Sequence, residues 1–279
     1  MAGVPSSYKG KIETAYDELS PIYDQTQGTW MKYSAKMILS ELRLPDNPVC
    51  LDVACGTGLS TFQLAEACRG KGIIYGADIS QKMLDQAESA RNRLGLGNVR
   101  FLKMDAENLE FPDSVFDIVL SNMSLTHFPD KHRALSEMYR VLKPAGQFGL
   151  VYHGRPMHRE AHEVARQVAS RHPELPSFTK MVEDMFAGYS LDLEDSINLL
   201  NQTGFAIANI YGRHSFTWMN PSSMNSEQSA FWALYRQALP LEVREQIGLE
   251  LVEAARRAAG EKGLKVTNYI VFAWGKKPS

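Results

Sequence analysis

The run Asp52-Val53-Ala54-Cys55-Gly56-Thr57-Gly58 combines residue types that let a backbone grip a small ligand. It follows an apolar, β-branched stretch and precedes a helical one, so its glycines fall where a strand turns into a helix. There a missing Cβ lets backbone N–H groups approach a bound molecule at a helix N-terminus. An ordinary structural turn would leave the same trace, so the loop needs company. Asp78 supplies it: twenty positions after Gly58, at the end of the next apolar run, its carboxylate can accept both hydroxyl protons of a ribose. The competing reading of Asp78 is a cap for the helix that Ser80 opens. A dinucleotide fingerprint fits poorly, because Thr61 stands where its third glycine belongs and Asp52 lies inside the strand. A nicotinamide-dependent oxidoreductase is disfavoured on both counts.

The pattern Asp-x-Ala-x-Gly-x-Gly at 52–58 resembles motif I of class I S-adenosylmethionine-dependent methyltransferases, with Ala54 where that family often has glycine. Further segments follow in the family's order: Met104-Asp105-Ala106-Glu107, Phe116-Asp117-Ile118-Val119-Leu120-Ser121, and Val141-Leu142-Lys143-Pro144-Ala145-Gly146. The resemblance implies S-adenosylmethionine as the cofactor. It places Asp52, Ala54, Cys55, Gly56, Thr57 and Gly58 in the binding loop, Asp78 and Ile79 beside the ribose, and Ser121 at the end of the fourth strand. Asp105, flanked by Ala106 and Glu107, would meet the adenine amino group. Met83 either covers the adenine face or is ordinary core. Asp117 and the 143–146 turn read as architecture.

The segment 16–24 resembles the family's helix before motif I, which folds over the cofactor. Tyr16 and Tyr23, seven apart, share one helix face unless Pro21 divides the helix. They are candidates for the methionine carboxylate or the substrate; solvated amphipathic tyrosines are the alternative.

Such a loop must be held by a parallel sheet. Apolar runs at 49–54, 73–77, 99–104, 116–120 and 147–152 alternate with helical stretches at 59–68, 80–94 and 131–142, the pattern of βαβ units. After Tyr152 the alternation breaks. Helical material at 158–170 is followed by a helix at 191–202, a strand at 206–211 with a continuation at 215–218, helices at 228–238 and 241–259, and a last strand at 266–274. The expected fold is α/β: a Rossmann-like, mostly parallel seven-stranded sheet with helices on both faces and helical insertions forming a substrate lid. The expected divisions are an N-terminal helical lid at 1–45, the cofactor-binding core at 46–155, an insertion at 156–190, and the rest of the sheet at 191–279 with a second insertion at 220–263.

Net charge is −2 over 279 residues, without a Lys/Arg block, so nucleic acid is not an expected partner. No apolar run approaches the roughly 18 residues of a membrane helix. The amino terminus carries no basic-then-apolar leader, and Ala2 stands where myristoylation requires glycine. A cytoplasmic location is expected. Cys50, Cys55 and Cys68 form no C-x-x-C pair and read as reduced thiols. His158-Arg159-Glu160-Ala161-His162 is not a zinc pattern, reads as a solvated helix face, and no metal is expected.

The stretch Ser121-Asn122-Met123-Ser124 lacks the Asn/Asp-Pro-Pro-aromatic motif of enzymes that methylate exocyclic amines. Leu125-Thr126-His127-Phe128-Pro129-Asp130 resembles ubiquinone and menaquinone biosynthesis methyltransferases and related natural-product and lipid enzymes. That implies a small, partly apolar acceptor, methylated at oxygen, carbon or nitrogen. Phe178, Met181, Met185, Phe186, Tyr189, Trp218, Met219, Met224, Phe231 and Trp232 would wall its chamber, or are core. His127, just beyond the fourth strand, and His153, after the fifth, are the candidate bases; His127 alternatively braces its loop. A homodimer is allowed for. The alternative function is a member of the fold that binds S-adenosylmethionine without methylating.

Overall fold

Apolar runs alternating with helices assemble into a seven-stranded sheet of order β3-β2-β1-β4-β5-β7-β6. The computed structural model describes residues 6–187, 190–225, 235–236 and 238–279. Its strands are β1 (Val49–Val53), β2 (Ile73–Asp78), β3 (Val99–Lys103), β4 (Phe116–Asn122), β5 (Leu142–Gly154), β6 (Ala206–Met219) and β7 (Leu264–Lys276). The five runs predicted between 49 and 152 are the five parallel strands, and β7 enters antiparallel between β5 and β6. Strand order reverses between β1 and β4, which opens a crevice at their carboxyl ends.

The helices are α1 (Ser6–Leu19), α2 (Tyr23–Leu39), α3 (Leu59–Ala67), α4 (Gln81–Leu94), α5 (Lys131–Val141), α6 (Arg159–Ala169), α7 (Pro176–Ala187), α8 (Leu193–Thr203) and α9 (Arg244–Ala258). Their ends follow sequence signals. The Ser80 hydroxyl accepts the Met83 N–H at 3.1 Å, and the Asp130 carboxylate accepts that of Arg133 at 2.8 Å. α8 closes on Gly204 in the left-handed region.

β5 begins five residues before the predicted 147. Leu142 pairs with Phe116, residues 143–146 bulge out with Ala145 at φ 61°, and pairing resumes at Gln147 opposite Ile118. Pro144 does end helical structure, but the bulge lets one strand span it. Asp117 is architectural: it accepts the Val49 N–H at 2.9 Å and pairs with Lys143 at 2.8 Å, tying the bulge to β1.

One sheet face is covered by α5 and α8, around Phe116, Leu135, Phe148 and Leu200. The other is covered by α2 and α3, around Ile38, Leu64, Ile118 and Phe272. A third cluster, with Ala15, Val164, Phe178 and Leu251, joins α1, α6, α7 and α9 into a helical lobe. Both insertions, 156–190 and 220–263, therefore contribute to one body. Residues 1–45, expected as one lid, divide at Ser20-Pro21-Ile22: α1 packs into the lobe, whereas α2 packs on the sheet.

Phe178, Met181 and Met224 are buried in this lobe, so they are core rather than chamber wall. Met219 packs against the same cluster, and Trp218 is 46% exposed on β6. The side chains of Met185, Phe186, Tyr189, Phe231 and Trp232, and most of the helix predicted at 228–238, lie outside the described residues. The face expected to be solvated on α6 turns inward. His162 is fully buried and its Nδ1 lies 2.6 Å from the Tyr235 hydroxyl, while Glu160 accepts the Thr267 N–H at 2.5 Å and its hydroxyl at 2.7 Å. These polar groups find partners inside the lobe, where periodicity alone placed water.

Candidate active site

The glycine loop turns as its sequence requires. Ala54, Gly56 and Gly58 all sit at positive φ, at 57°, 55° and 84°. At Ala54 the demand is conformational, and alanine meets it with strain. Gly58 has a second reason, since a Cβ there would lie 2.8 Å from the Phe101 ring and 2.9 Å from that of Phe62. At Gly56 no atom of the described residues stands within 4 Å of a Cβ position, and the residue lines a cavity at the carboxyl ends of β1 and β4. An open backbone at that point is what a ligand cradle needs.

Asp78 closes the loop from β2. One oxygen accepts the Gly56 N–H at 2.8 Å, the other accepts the Ser80 N–H at 2.9 Å, and the carboxylate borders the cavity. Burial pushes its pKa up, against the pull of these N–H donors. Asp52 lies behind the loop rather than in the cavity. Its Oδ2 accepts the Thr61 hydroxyl at 2.7 Å, its Oδ1 is buried without a hydrogen-bond partner among the described residues, and burial raises its pKa to about 7.

Of the predicted residues, Tyr16, Tyr23, Ala54, Gly56, Asp78, Ile79, Met83, Asp105, Ala106, Glu107 and His127 line one cavity. Cys55, Thr57, Gly58, Ser121 and His153 do not border it. Cys55 is buried. Thr57 donates to Asp24 at 2.6 Å, and Ser121 bonds the Val53 carbonyl at 2.9 Å and the Ser124 hydroxyl. They brace the walls. Met83 reconciles its two readings, since it is buried in the lobe cluster and also borders the cavity.

Pro21 does break the N-terminal helix, yet Tyr16 and Tyr23 still meet edge to face, with ring centres 6.1 Å apart. The Tyr16 hydroxyl lies 2.9 Å from Nε2 of His127. Burial, with Lys131 and His158 adding to it, brings the His127 pKa down to about 4, so the imidazole is neutral near pH 7. His153 falls inside β5 rather than after it. Its ring centre is 5.1 Å from that of His158, its Nδ1 is buried without a hydrogen-bond partner among the described residues, and burial lowers its pKa strongly.

Sequence reasoning missed Lys9, Asp17, Asp24 and Asn122. Asp17 accepts the Ser80 hydroxyl at 2.5 Å, and Asn122, at the floor, donates to Ser60 at 2.8 Å and accepts from Ser34 at 2.9 Å. One signal was available for the acids: Tyr16-Asp17 and Tyr23-Asp24 repeat a dipeptide at a seven-residue interval, which places the aspartates beside both tyrosines. Nothing local marks Lys9, whose partners lie 96 and 98 positions away.

The strand order and the glycine loop make the fold Rossmann-like, and residues 51–150 match the family model described as a methyltransferase domain. The chain is 32% identical over 154 residues to a demethylmenaquinone methyltransferase of Listeria welshimeri, covering 52% of this chain and 64% of that protein. It is 43% identical over 138 residues to the enzyme of the same name from a Geobacillus species, covering 49% of this chain and 57% of that one. The match thus spans less than two thirds of each relative. Among solved structures, the [4+2]-cyclase SpnF superposes with a TM-score of 0.63 at 18% identity, over 100% of this chain and 99% of that one. These likenesses bear out the class I S-adenosylmethionine-dependent methyltransferase resemblance and the fold it implies.

Proposed function

We propose that this protein is an S-adenosylmethionine-dependent methyltransferase acting on an oxygen, carbon or nitrogen atom of a small, partly apolar molecule. The observation that carries the reading is the single cavity in which the open backbone of Gly56 and the carboxylate of Asp78 face the cover formed by α1. The residues fit the cofactor: Asp78 and Ile79 would hold the ribose, Asp105 to Glu107 the adenine, Met83 its face, and the loop at 54–58 the amino-acid end. When bound, the cofactor supplies a methyl group on a sulfonium, an intrinsically activated donor.

The chain then needs chiefly to orient the acceptor and exclude water. Tyr16 and Tyr23 on the two N-terminal helices close the cavity from above. Ile12, Met123 and Phe128 add apolar lining to the cavity, which suits a ring-bearing acceptor of the kind for which the curated relatives are named. His127, neutral, paired with Tyr16 and lining the cavity, would meet an acidic hydroxyl of the acceptor. An acceptor that loses a proton on methylation hands it to this imidazole or to solvent.

Calorimetry with S-adenosylhomocysteine and with NAD checks the donor, and transfer of labelled methyl to a quinol panel checks the reaction. Binding of S-adenosylhomocysteine with labelled product is the expected outcome. NAD binding in its place would sink the reading. Tight S-adenosylhomocysteine binding with no transfer to any acceptor would select the non-methylating alternative, which shares this fold with the [4+2]-cyclase.

A further inference from the structure

The two carboxylates at the adenine end of the cavity are already engaged by the protein itself. The Lys9 ammonium on α1 lies 2.6 Å from Oδ2 of Asp105 and 2.6 Å from Oε2 of Glu107. The remaining oxygens are also in use: Oδ1 of Asp105 accepts the Glu107 N–H at 2.9 Å, and Oε1 of Glu107 accepts the Asp130 N–H at 2.9 Å. Lys9 borders the cavity together with Ile12, so its side chain takes up room as well as charge.

We propose that Lys9 is an internal competitor for the adenine subsite, its ammonium holding the carboxylate that the adenine amino group would otherwise reach. The inference rests on the cofactor reading above. An ammonium and an exocyclic amine are both donors seeking the same acceptor, and a lysine tethered on α1 has a high local concentration there. The carboxylates are partly shielded, with side-chain exposures of 33% for Asp105 and 12% for Glu107. The ion pairs are therefore screened less than a fully exposed pair. Cofactor entry then requires Lys9 to swing out, which couples occupation of the adenine subsite to the seating of α1. Closure of α1 over a bound cofactor would use its other ties, at Tyr16 to His127 and Asp17 to Ser80.

A second α1 tether makes the test discriminating. Glu13 on the same helix pairs with Lys103 at 2.7 Å, near the subsite but without touching Asp105 or Glu107. Kd and association rate are measured for S-adenosylhomocysteine and for adenosine on the wild type, Lys9→Met and Glu13→Gln. Lys9→Met is expected to bind both ligands about three- to tenfold more tightly, through a faster association rate. Glu13→Gln is expected to stay within about twofold of wild type. Equal or weaker binding by Lys9→Met overturns the proposal, and so does a matching gain in Glu13→Gln, which would mean that loosening α1 suffices. If none of the three proteins binds either ligand, the cofactor reading itself has failed. Thermal unfolding without ligand verifies that each variant is folded.

Discussion

Asp78 is the residue on which the cofactor reading turns, because it both shapes the loop, through Gly56, and faces the cavity. Replacing it by alanine is expected to weaken S-adenosylhomocysteine binding by about 1–3 kcal/mol, the worth of hydrogen bonds to a charged acceptor. Asp78→Asn should lose less, since one amide oxygen still accepts. Titration calorimetry decides, and an unchanged Kd in Asp78→Ala would remove Asp78 from the ribose. At this scale the sequence was legible wherever one residue type answers one backbone demand. Glycines at a strand-to-helix turn, an aspartate at a strand end and Ser80 as a cap could all be read in place. It was opaque where the partner comes from far along the chain. Lys9 on Asp105, Asp24 on Thr57 and His162 on Tyr235 carry no local trace, because a salt bridge or buried hydrogen bond needs no fixed spacing.

Between residue and molecule stands the division of the N-terminal segment. Ser20-Pro21-Ile22 separates a helix of the lobe from a helix of the core: α2 buries Ala35, Ile38 and Leu39 on the sheet, and Ser34 donates to Asn122 at 2.9 Å. α1 instead reaches the cavity through Lys9, Ile12 and Tyr16. A truncation placed at residue 33 would cut α2 in half and strip Trp30 and Met31 from the core they pack on. The informative cut removes residues 1–20. We expect that protein to keep a cooperative melt and its sheet, while methyl transfer falls at least tenfold because water reaches the cavity and Tyr16 is lost. Circular dichroism and a labelled-methyl assay measure the two effects. Full activity after this cut would show that α1 is not a working cover. The same elements explain which parts of the fold the sequence disclosed. Periodicity found all five parallel strands and the helices between them, whereas the joining of both insertions into one lobe depends on contacts between α6 and α9, 75 or more positions apart.

At the scale of the whole molecule, four histidines collect where the lobe meets the sheet's carboxyl edge, and they set its response to acid. His127 and His158 have pKa values lowered by burial to about 4, His162 to about 3, and His153 is lowered strongly. Unfolded imidazoles protonate near 6.5. Each folded-state value lies below the unfolded one, so the stability they contribute is present above about pH 6.5 and is lost as pH falls toward about 4. Two carboxylates oppose this. Burial raises Asp52 to about 7 and raises Asp78, so each favours the folded state at low pH and loses that contribution as pH rises through its folded value. His172, raised by its hydrogen bond to Glu250, already contributes fully below 6.5 and adds no slope there. Four protons taken up on unfolding outnumber the two at most that Asp52 and Asp78 release, which leaves a net loss of stability on acidification, at about 1.4 kcal/mol per pH unit for each uncompensated proton. The melting temperature should therefore drop steadily between pH 6.5 and 5. His162→Gln, which keeps a polar partner for Tyr235 but cannot titrate, should flatten that slope by up to one proton's worth. A melting temperature that holds or rises over this interval in the wild type would mean that the imidazoles are not held neutral in the folded protein.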